Sequence, residues 1–313
     1  MKESRFISLT GGLGNQLFQY AAALYQRGTK TVSLVSSLGL PRNSKAGRAE
    51  IFSFSITESE ISAKAGWFIR KVAGYLLRQG VYRKKLENFT IYRVLTLFVG
   101  RIVLSFYLRK KLSLMIGKGV GFYELIQPKG NQLLIGYFQS FHWASDPQVL
   151  EQLHQIKLKD DSPKVREYRG LANVEKPLVV HIRLGDYKNE SDFGMLPETY
   201  YSAAIQDQLK SEKYGAIWLF SDELEAAEQM LPKELAIKVR LIQEVDESAA
   251  ATLEVMRFGH GYVIANSTFS WWGAFLSLNS DAKVIAPSPW FRNLSEPAQM
   301  IPPHWTRCDA GWR

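Results

Sequence analysis

A single cysteine, Cys308, stands five residues from the end of this 313-residue chain. No disulfide can form within it, which fits a reducing compartment. Long apolar runs are missing as well. The longest, Val94 to Leu108, is broken by Gly100 and Arg101 and is too short to cross a bilayer. The opening MKESRFISLTGG enters a strand-like run and glycine turn without an apolar leader. Neither a secretory signal nor a membrane anchor is read, and a cytoplasmic protein is expected. Metal-ligand spacing is also lacking. Five histidines (142, 154, 181, 260 and 304) show no ligand pattern, and one cysteine cannot build a zinc site. No Asp-x-Asp pair is available to hold a divalent ion against a diphosphate. No metal site is expected.

Acidic residues are nearly absent from one segment. Residues 64–118 hold thirteen Lys or Arg against Glu87 alone, a charge of +12 on a chain whose total is +9, so the rest sums to −3. Trp67, Phe68, Tyr75, Leu76, Leu77 and Tyr82 interleave with these bases. One reading is a solvated basic face. The other is a surface for anionic phospholipid or a lipid-diphosphate substrate, at the inner face of the cytoplasmic membrane. Nucleic acid is not expected as a partner, because no nucleic-acid module accompanies the charge.

What is present is a folded chain, 46% hydrophobic and 22% charged, long enough for two domains. Phe6 to Leu9 reads as a buried strand, followed by the turn Thr10-Gly11-Gly12-Leu13-Gly14, a helix from about Asn15, and a strand from Thr31 to Leu34. From Ile51 to about Lys118 the spacing is helical. Leu133 to Phe138 reads as a strand and Asp146 to Lys159 as a helix. After the charged stretch Lys159-Asp-Asp-Ser-Pro163, strands at 178–183, 216–221, 239–242, 262–265 and 283–286 alternate with helices at 197–210, 223–230, 248–258 and 269–278. That alternation predicts an α/β protein with parallel, doubly wound sheets. The boundary is expected near 160, with an N-terminal α/β domain over 1–160 that includes the basic helical segment 64–118, and a Rossmann-like domain over 161–313.

In such sheets ligands bind beyond the carboxyl ends of the strands. His181, Arg183 and Asp186 end one strand, and Asp222 ends the next. Asn266, Ser267 and Thr268 end a third and open a helix. The hydroxyls at that helix start are read either as simple N-caps or, beside a strand-end arginine, as a phosphate site. The turn from Gly12 to Gly14 matches part of a dinucleotide fingerprint, but Leu17 stands at the third glycine and no acid follows about twenty residues on. What remains is a backbone turn presenting Asn15 and Gln16. No G-x-S-x-G elbow is present.

Taken with GGLGNQLFQYAAA (11–23), GYFQS (136–140), HIRLGDY (181–187), ETYYSAAI (198–205), FSDE (220–223), ANSTFSWWGAFLS (265–277) and PSPWF (287–291), the chain resembles the bacterial α-1,2-fucosyltransferases, glycosyltransferase family 11. Segment 50–125 carries little of the likeness. The resemblance implies the GT-B arrangement of two facing Rossmann-like domains, residues 1–160 on the acceptor side and 161–313 holding GDP-fucose. It implies transfer of L-fucose to the 2-hydroxyl of a galactose-terminated oligosaccharide or lipid-linked glycan, with inversion and without a metal. By similarity to the H-x-R-R-x-D pattern of α-1,6- and protein O-fucosyltransferases, Arg183 would bind the β-phosphate and His181 the nucleoside. Ser267 and Thr268, with Asn266 beside them, would hold phosphate, and Asp222 would order the site. Asn15, on the turn of Gly12 and Gly14, would reach the fucose or diphosphate.

Two departures stand out. The second arginine of the pattern is Leu184, and an acid that relatives carry as a guanine contact is Thr252 here. Arg183 and the helix start would neutralise the leaving diphosphate. Asp186, then Glu198, is the candidate base for the acceptor hydroxyl, Asp186 being equally well read as a partner of Arg183. Trp271 and Trp272 are read as core, with stacking on a sugar as the alternative. Fucosyl transfer to another acceptor, or a non-catalytic nucleotide-sugar-binding module, are the competing functions.

Overall fold

The computed structural model describes residues 3–39, 49–81, 90–122 and 129–312, with the side chains of 90–93 and 189 excepted. The chain divides into two compact units.

Unit 1 comprises Met1–Lys157 and Pro297–Met300. Its elements are β1 (Ser4–Thr10), α1 (Leu13–Tyr25), β2 (Thr31–Gly39), β3 (Ser59–Ile61), α2 (Trp67–Val81), α3 (Thr90–Leu108), β4 (Leu112–Ile116), β5 (Asn131–Ile135), α4 (Phe141–Ala144) and α5 (Pro147–Gln155). The five strands form a parallel sheet in the order β3-β2-β1-β5-β4. Ile7 of β1, at the centre, registers with Leu34 of β2 and Leu134 of β5, all three without exposed surface. Strands covered on both faces are rich in buried apolar residues, as Phe6, Ile7 and Leu9 of β1 and Leu133, Leu134 and Ile135 of β5 are here.

Unit 2 comprises Leu158–Glu296 and Ile301–Arg313. It runs α6 (Pro163–Glu175), β6 (Leu178–Ile182), α7 (Glu198–Ser211), β7 (Ala216–Ser221), α8 (Leu224–Gln229), β8 (Lys238–Ile242), α9 (Ala249–Met256), β9 (Gly261–Val263), α10 (Thr268–Phe275), β10 (Lys283–Ser288) and β11 (Thr306–Asp309). Its parallel sheet has the order β11-β10-β9-β6-β7-β8. Counted from β6, this is the doubly wound order, and the chain reverses direction across the sheet between β6 and β9. The crevice at that switch point is where such sheets hold ligands.

The α/β class and the two parallel, Rossmann-like sheets agree with the sequence reading. Four details correct it. The stretch 51–118 is not helical throughout, because β3 and β4, the two edge strands of the sheet, lie inside it. Helix α6 follows the charged stretch 159–163, over residues for which no element was read. Ser162 caps it by accepting from Val165 N at 3.1 Å, and Pro163 opens its first turn. Strand β11 was not expected at all. Finally, the division near 160 does not foresee that Pro297–Met300 returns to unit 1. There Gln299 O accepts from Phe141 N at 2.8 Å and from Ser140 Oγ at 3.0 Å. Among the described residues no helix is long and apolar enough to cross a membrane.

Candidate functional site

β6 ends at Ile182, and the next residue, Arg183, lies between two carboxylates. Its Nε and Nη2 donate to Asp186 Oδ1 at 2.9 and 2.8 Å, and Nη1 lies 3.4 Å from Asp222 Oδ2. Tyr187 sits beneath the guanidinium, its ring centre 5.8 Å from Cζ. Asp222 is itself fixed, since Oδ1 accepts from Leu184 N at 3.0 Å. Gly185 makes this approach possible: a Cβ there would run into Asp222 Oδ2. Arg183 is thus oriented by two acids and keeps one N–H on each terminal nitrogen for another acceptor.

Beside it, His181 is buried, and Nδ1 has no hydrogen-bond partner among the described residues. Burial, followed by the positive charge of Arg183, pulls its pKa down to about 3, although Asp222 opposes this. The imidazole is therefore neutral at physiological pH. Leu184, where the family pattern has a second arginine, is buried in the core of unit 2, so this position presents no charge to a phosphate.

Across the switch point, β9 leads into α10. Ser267 caps that helix by accepting from Phe269 N at 3.3 Å. Thr268 is half-buried, and its hydroxyl has no protein partner among the described residues. Asn266 is engaged differently from the expectation. Its Nδ2 donates to the carbonyls of Phe193 and Gly194, both at 3.0 Å, and its own carbonyl accepts from Tyr187 Oη at 3.1 Å. It joins the loop after β6 to the end of β9. Burial raises the Tyr187 phenol pKa and keeps it a donor. The bonds of Asn266 and Tyr187 were not legible in the sequence, although both residues lie inside the quoted motifs. Trp271 and Trp272 have no exposed surface and pack with Phe275, so both are core and neither offers a face to a sugar.

Thr252 accepts from Val245 N at 2.8 Å and donates to Ser248 O at 2.9 Å, so its hydroxyl is fully engaged at the start of α9. Glu254, on the same helix, is buried against Arg257 at 2.7 Å. An open recess of about 710 Å³ lies beyond β7 and β8, lined by Lys164, Tyr168, Glu223, Leu224, Leu241 and Gln243 among others. Glu223 ties it to the strand-end group by pairing with Lys188 at 2.5 Å. Glu198 is exposed at the first position of α7.

In unit 1 the glycine turn is built around Asn15. Its Oδ1 accepts from Gln139 Nε2 at 2.9 Å, while its Nδ2 has no partner among the described residues. Gly11, at φ +74°, is the glycine this geometry needs, because a Cβ there would lie 2.5 Å from Asn15 Nδ2. Gly12 caps α1, its carbonyl accepting from Asn15 N and Gln16 N at 3.0 and 3.2 Å, and a Cβ there would meet nothing. Gly14 is buried in the first turn. Gln16, expected beside Asn15 as a presented group, is buried: Nε2 donates to Gly11 O and Oε1 accepts from Ile51 N. Its amide braces the turn. Among the described residues no three His, Cys, Asp or Glu side chains converge as a metal site would require.

A doubly wound sheet with an arginine and a helix start at its switch point has the layout of a nucleotide-binding α/β protein. The comparisons narrow this. Residues 136–307 match the model of glycosyl transferase family 11, and the chain belongs to that family. It is a glycosyltransferase, and the resemblance read from the motifs is upheld. It is 31% identical over 301 residues to the O-antigen biosynthesis glycosyltransferase WbnK of Escherichia coli, covering 90% of this chain and 93% of that one. It is 26% identical over 324 residues to an alpha-1,2-colitosyltransferase of Escherichia coli, covering 96% and 97%. Among solved structures, the fucosyltransferase NodZ from Bradyrhizobium superposes over 88% of this chain and 94% of its own, at 14% identity and a TM-score of 0.49.

Proposed function

We propose that the protein transfers L-fucose from GDP-fucose to the 2-hydroxyl of a galactose unit, with inversion and without a divalent metal. The observation that carries this is the placement of an oriented Arg183 at the end of β6 and of the start of α10 beyond the neighbouring strand β9, at the switch point of the sheet. Family membership supports glycosyl transfer. The α-1,2 linkage in one relative's name and the O-antigen role in the other's support the linkage and a glycan acceptor.

When the bond from fucose to the diphosphate breaks, negative charge collects on the β-phosphate while the anomeric carbon becomes electron-poor. The two N–H groups that Arg183 keeps free would take the growing charge, with Asp186 and Asp222 holding the guanidinium plane. Backbone N–H groups at the start of α10 and the Thr268 hydroxyl would take further oxygens. Neutral His181, with its unpartnered Nδ1, would bond the nucleoside. Asn15 Nδ2 is a free donor for a sugar or phosphate oxygen. The acceptor hydroxyl needs a base. Asp186 accepts from both Nε and Nη2 of Arg183, so orientation of Arg183 is the role its geometry favours and Glu198 becomes the alternative base.

The test is transfer from GDP-fucose to lactose and to Galβ1,3 disaccharides, reading GDP release and the product linkage by NMR, with and without EDTA. A fucosyl-α-1,2-galactose product and unchanged rates in EDTA are expected. An absolute need for magnesium or manganese would overturn the metal-free step. The colitosyltransferase relative supports a second donor. Colitose is L-fucose without its 3-hydroxyl, so turnover with GDP-colitose alone would move the assignment to that sugar.

A further inference from the structure

Helices α2 and α3 pack against each other over the sheet of unit 1. Leu97, Leu104, Tyr107 and Leu108 of α3 face inward, onto the cluster that holds Leu76 of α2. Gly100 allows the close approach, since a Cβ there would stand 2.8 Å from Leu76 Cδ1. Counting by fours from Val94 gives Phe98, Ile102 and Phe106, a stripe on the opposite side of the helix. This stripe should be polar on a helix facing water. Instead its residues are 63%, 60%, 54% and 87% exposed, with Leu95 and Val99 exposed beside them. On α2 the outward positions are Trp67, Lys71, Tyr75 and Arg78, and Lys71 Nζ sits 4.5 Å above the Trp67 ring. Arg101, Arg109, Lys111 and Lys118 of the same segment are exposed as well. Glu87 is the sole acid of the whole segment 64–118.

We propose that this face docks on the surface of an anionic phospholipid bilayer. An aliphatic and aromatic stripe rimmed by Trp, Tyr, Lys and Arg is the composition of a helix that lies in a membrane interface, apolar side down and bases at the headgroups. The charge chooses among possible occupants. A second copy of the chain would bring the same basic face against itself. Nucleic acid would match the charge but leave Val94, Ile102 and Phe106 facing phosphate. An anionic bilayer matches both. The proposal stands apart from the donor and acceptor assignments, because its readout is binding rather than turnover.

Co-sedimentation tests it, with vesicles of equal parts phosphatidylglycerol and phosphatidylcholine set against phosphatidylcholine alone. The wild type should bind the anionic vesicles, release them as salt rises, and ignore the neutral ones. The variant Phe98→Gln/Ile102→Gln/Phe106→Gln should lose binding at every salt concentration. The variant Lys71→Gln/Arg78→Gln/Arg109→Gln/Lys111→Gln should bind more weakly, by about fivefold for each base removed. Phe106→Gln alone, at a side chain that is almost wholly exposed, gives a milder change should the triple variant fold poorly; it should weaken binding at an unchanged melting temperature. Equal binding by wild type and variants overturns the proposal, as does the absence of vesicle binding by the wild type. A wild-type dimer in sedimentation velocity that the triple variant dissociates, without vesicle binding, assigns the face to self-association instead.

Discussion

Arg183 and the acids that hold it act on different stages of the proposed reaction, so their substitutions should separate. Arg183→Ala removes the charge facing the leaving diphosphate, and kcat/KM should fall at least tenfold, since a hydrogen bond to a charged group contributes about 1.5–3 kcal/mol. Asp186→Asn leaves that charge in place and loosens its orientation. It should raise the KM for donor by about tenfold while kcat and its pH profile persist. A collapse of kcat with the KM for donor unchanged would instead make Asp186 the base. His181 gives a prediction about stability. Folded, it takes up a proton only near pH 3, whereas unfolded it does so below its ordinary 6.5. Its contribution is therefore complete above pH 6.5 and is lost as pH falls toward 3, by roughly 4–5 kcal/mol at most. Glu175, held down to about 2 chiefly by Arg240, opposed by burial and aided by Trp218 and Lys238, loses its contribution only below about 4.5. Between pH 6.5 and 4.5 His181→Gln should flatten the dependence of the urea midpoint on pH. His260 shifts in the same direction and remains in both proteins. A wild-type slope in the variant would remove His181 as the cause.

At the scale of the element, α10 joins a structural role to a proposed binding role, and two substitutions part them. Ser267→Ala removes the cap on Phe269 N and should cost about 1 kcal/mol of stability, read as a lower melting temperature. Thr268→Val keeps shape and burial and removes only a hydroxyl without a protein partner. Its melting temperature should be unchanged while the KM for GDP-fucose rises several-fold. An unchanged KM would show that the hydroxyl meets no phosphate. Which elements the sequence revealed follows from their environment. The central strands of both sheets are mostly apolar, as in Phe6-Ile7 of β1 and Leu178-Val179-Val180 of β6, and were legible. β4 was not, because Leu112–Ile116 is short, flanked by bases, and carries the same residue types as the preceding helix. β3 and β11 are short strands with few fully buried side chains, so no apolar pattern marks them. α6 did carry a start signal, Ser162 followed by Pro163, masked by the charges before it.

For the whole molecule, the return of Pro297–Met300 to unit 1 is a long-range feature with a specific requirement. A Cβ on Gly121 would overlap Pro297. Gly121→Ala should therefore destabilise unit 1, lowering the melting temperature by several degrees if the clash costs 1–2 kcal/mol, at about 2–4 °C per kcal/mol for a domain of this size. Retention of the wild-type melting temperature would mean that the segment yields without loss. The uneven charge is also a property of the whole chain: with +12 in 64–118 and −3 elsewhere, the most basic stretch of the sequence contains the helix whose apolar outer face is uncovered.

Sequence by itself determined the α/β class, the doubly wound alternation of unit 2, the family, and the strand-end residues Arg183, Asp222 and Ser267. These rest on local patterns: apolar runs, turn glycines, caps and ordered motifs. Only the tertiary structure decided that Arg183 is clamped from opposite sides by Asp186 and by Asp222, thirty-nine residues further on, that Gly185 makes room for the second of these, and that Asn266 and Gln16 brace loops. The same holds for the bare outer face of α3. Helical spacing marks both sides of α3 as apolar. Which side is covered depends on what the rest of the chain packs against it, and residues distant in sequence settle that.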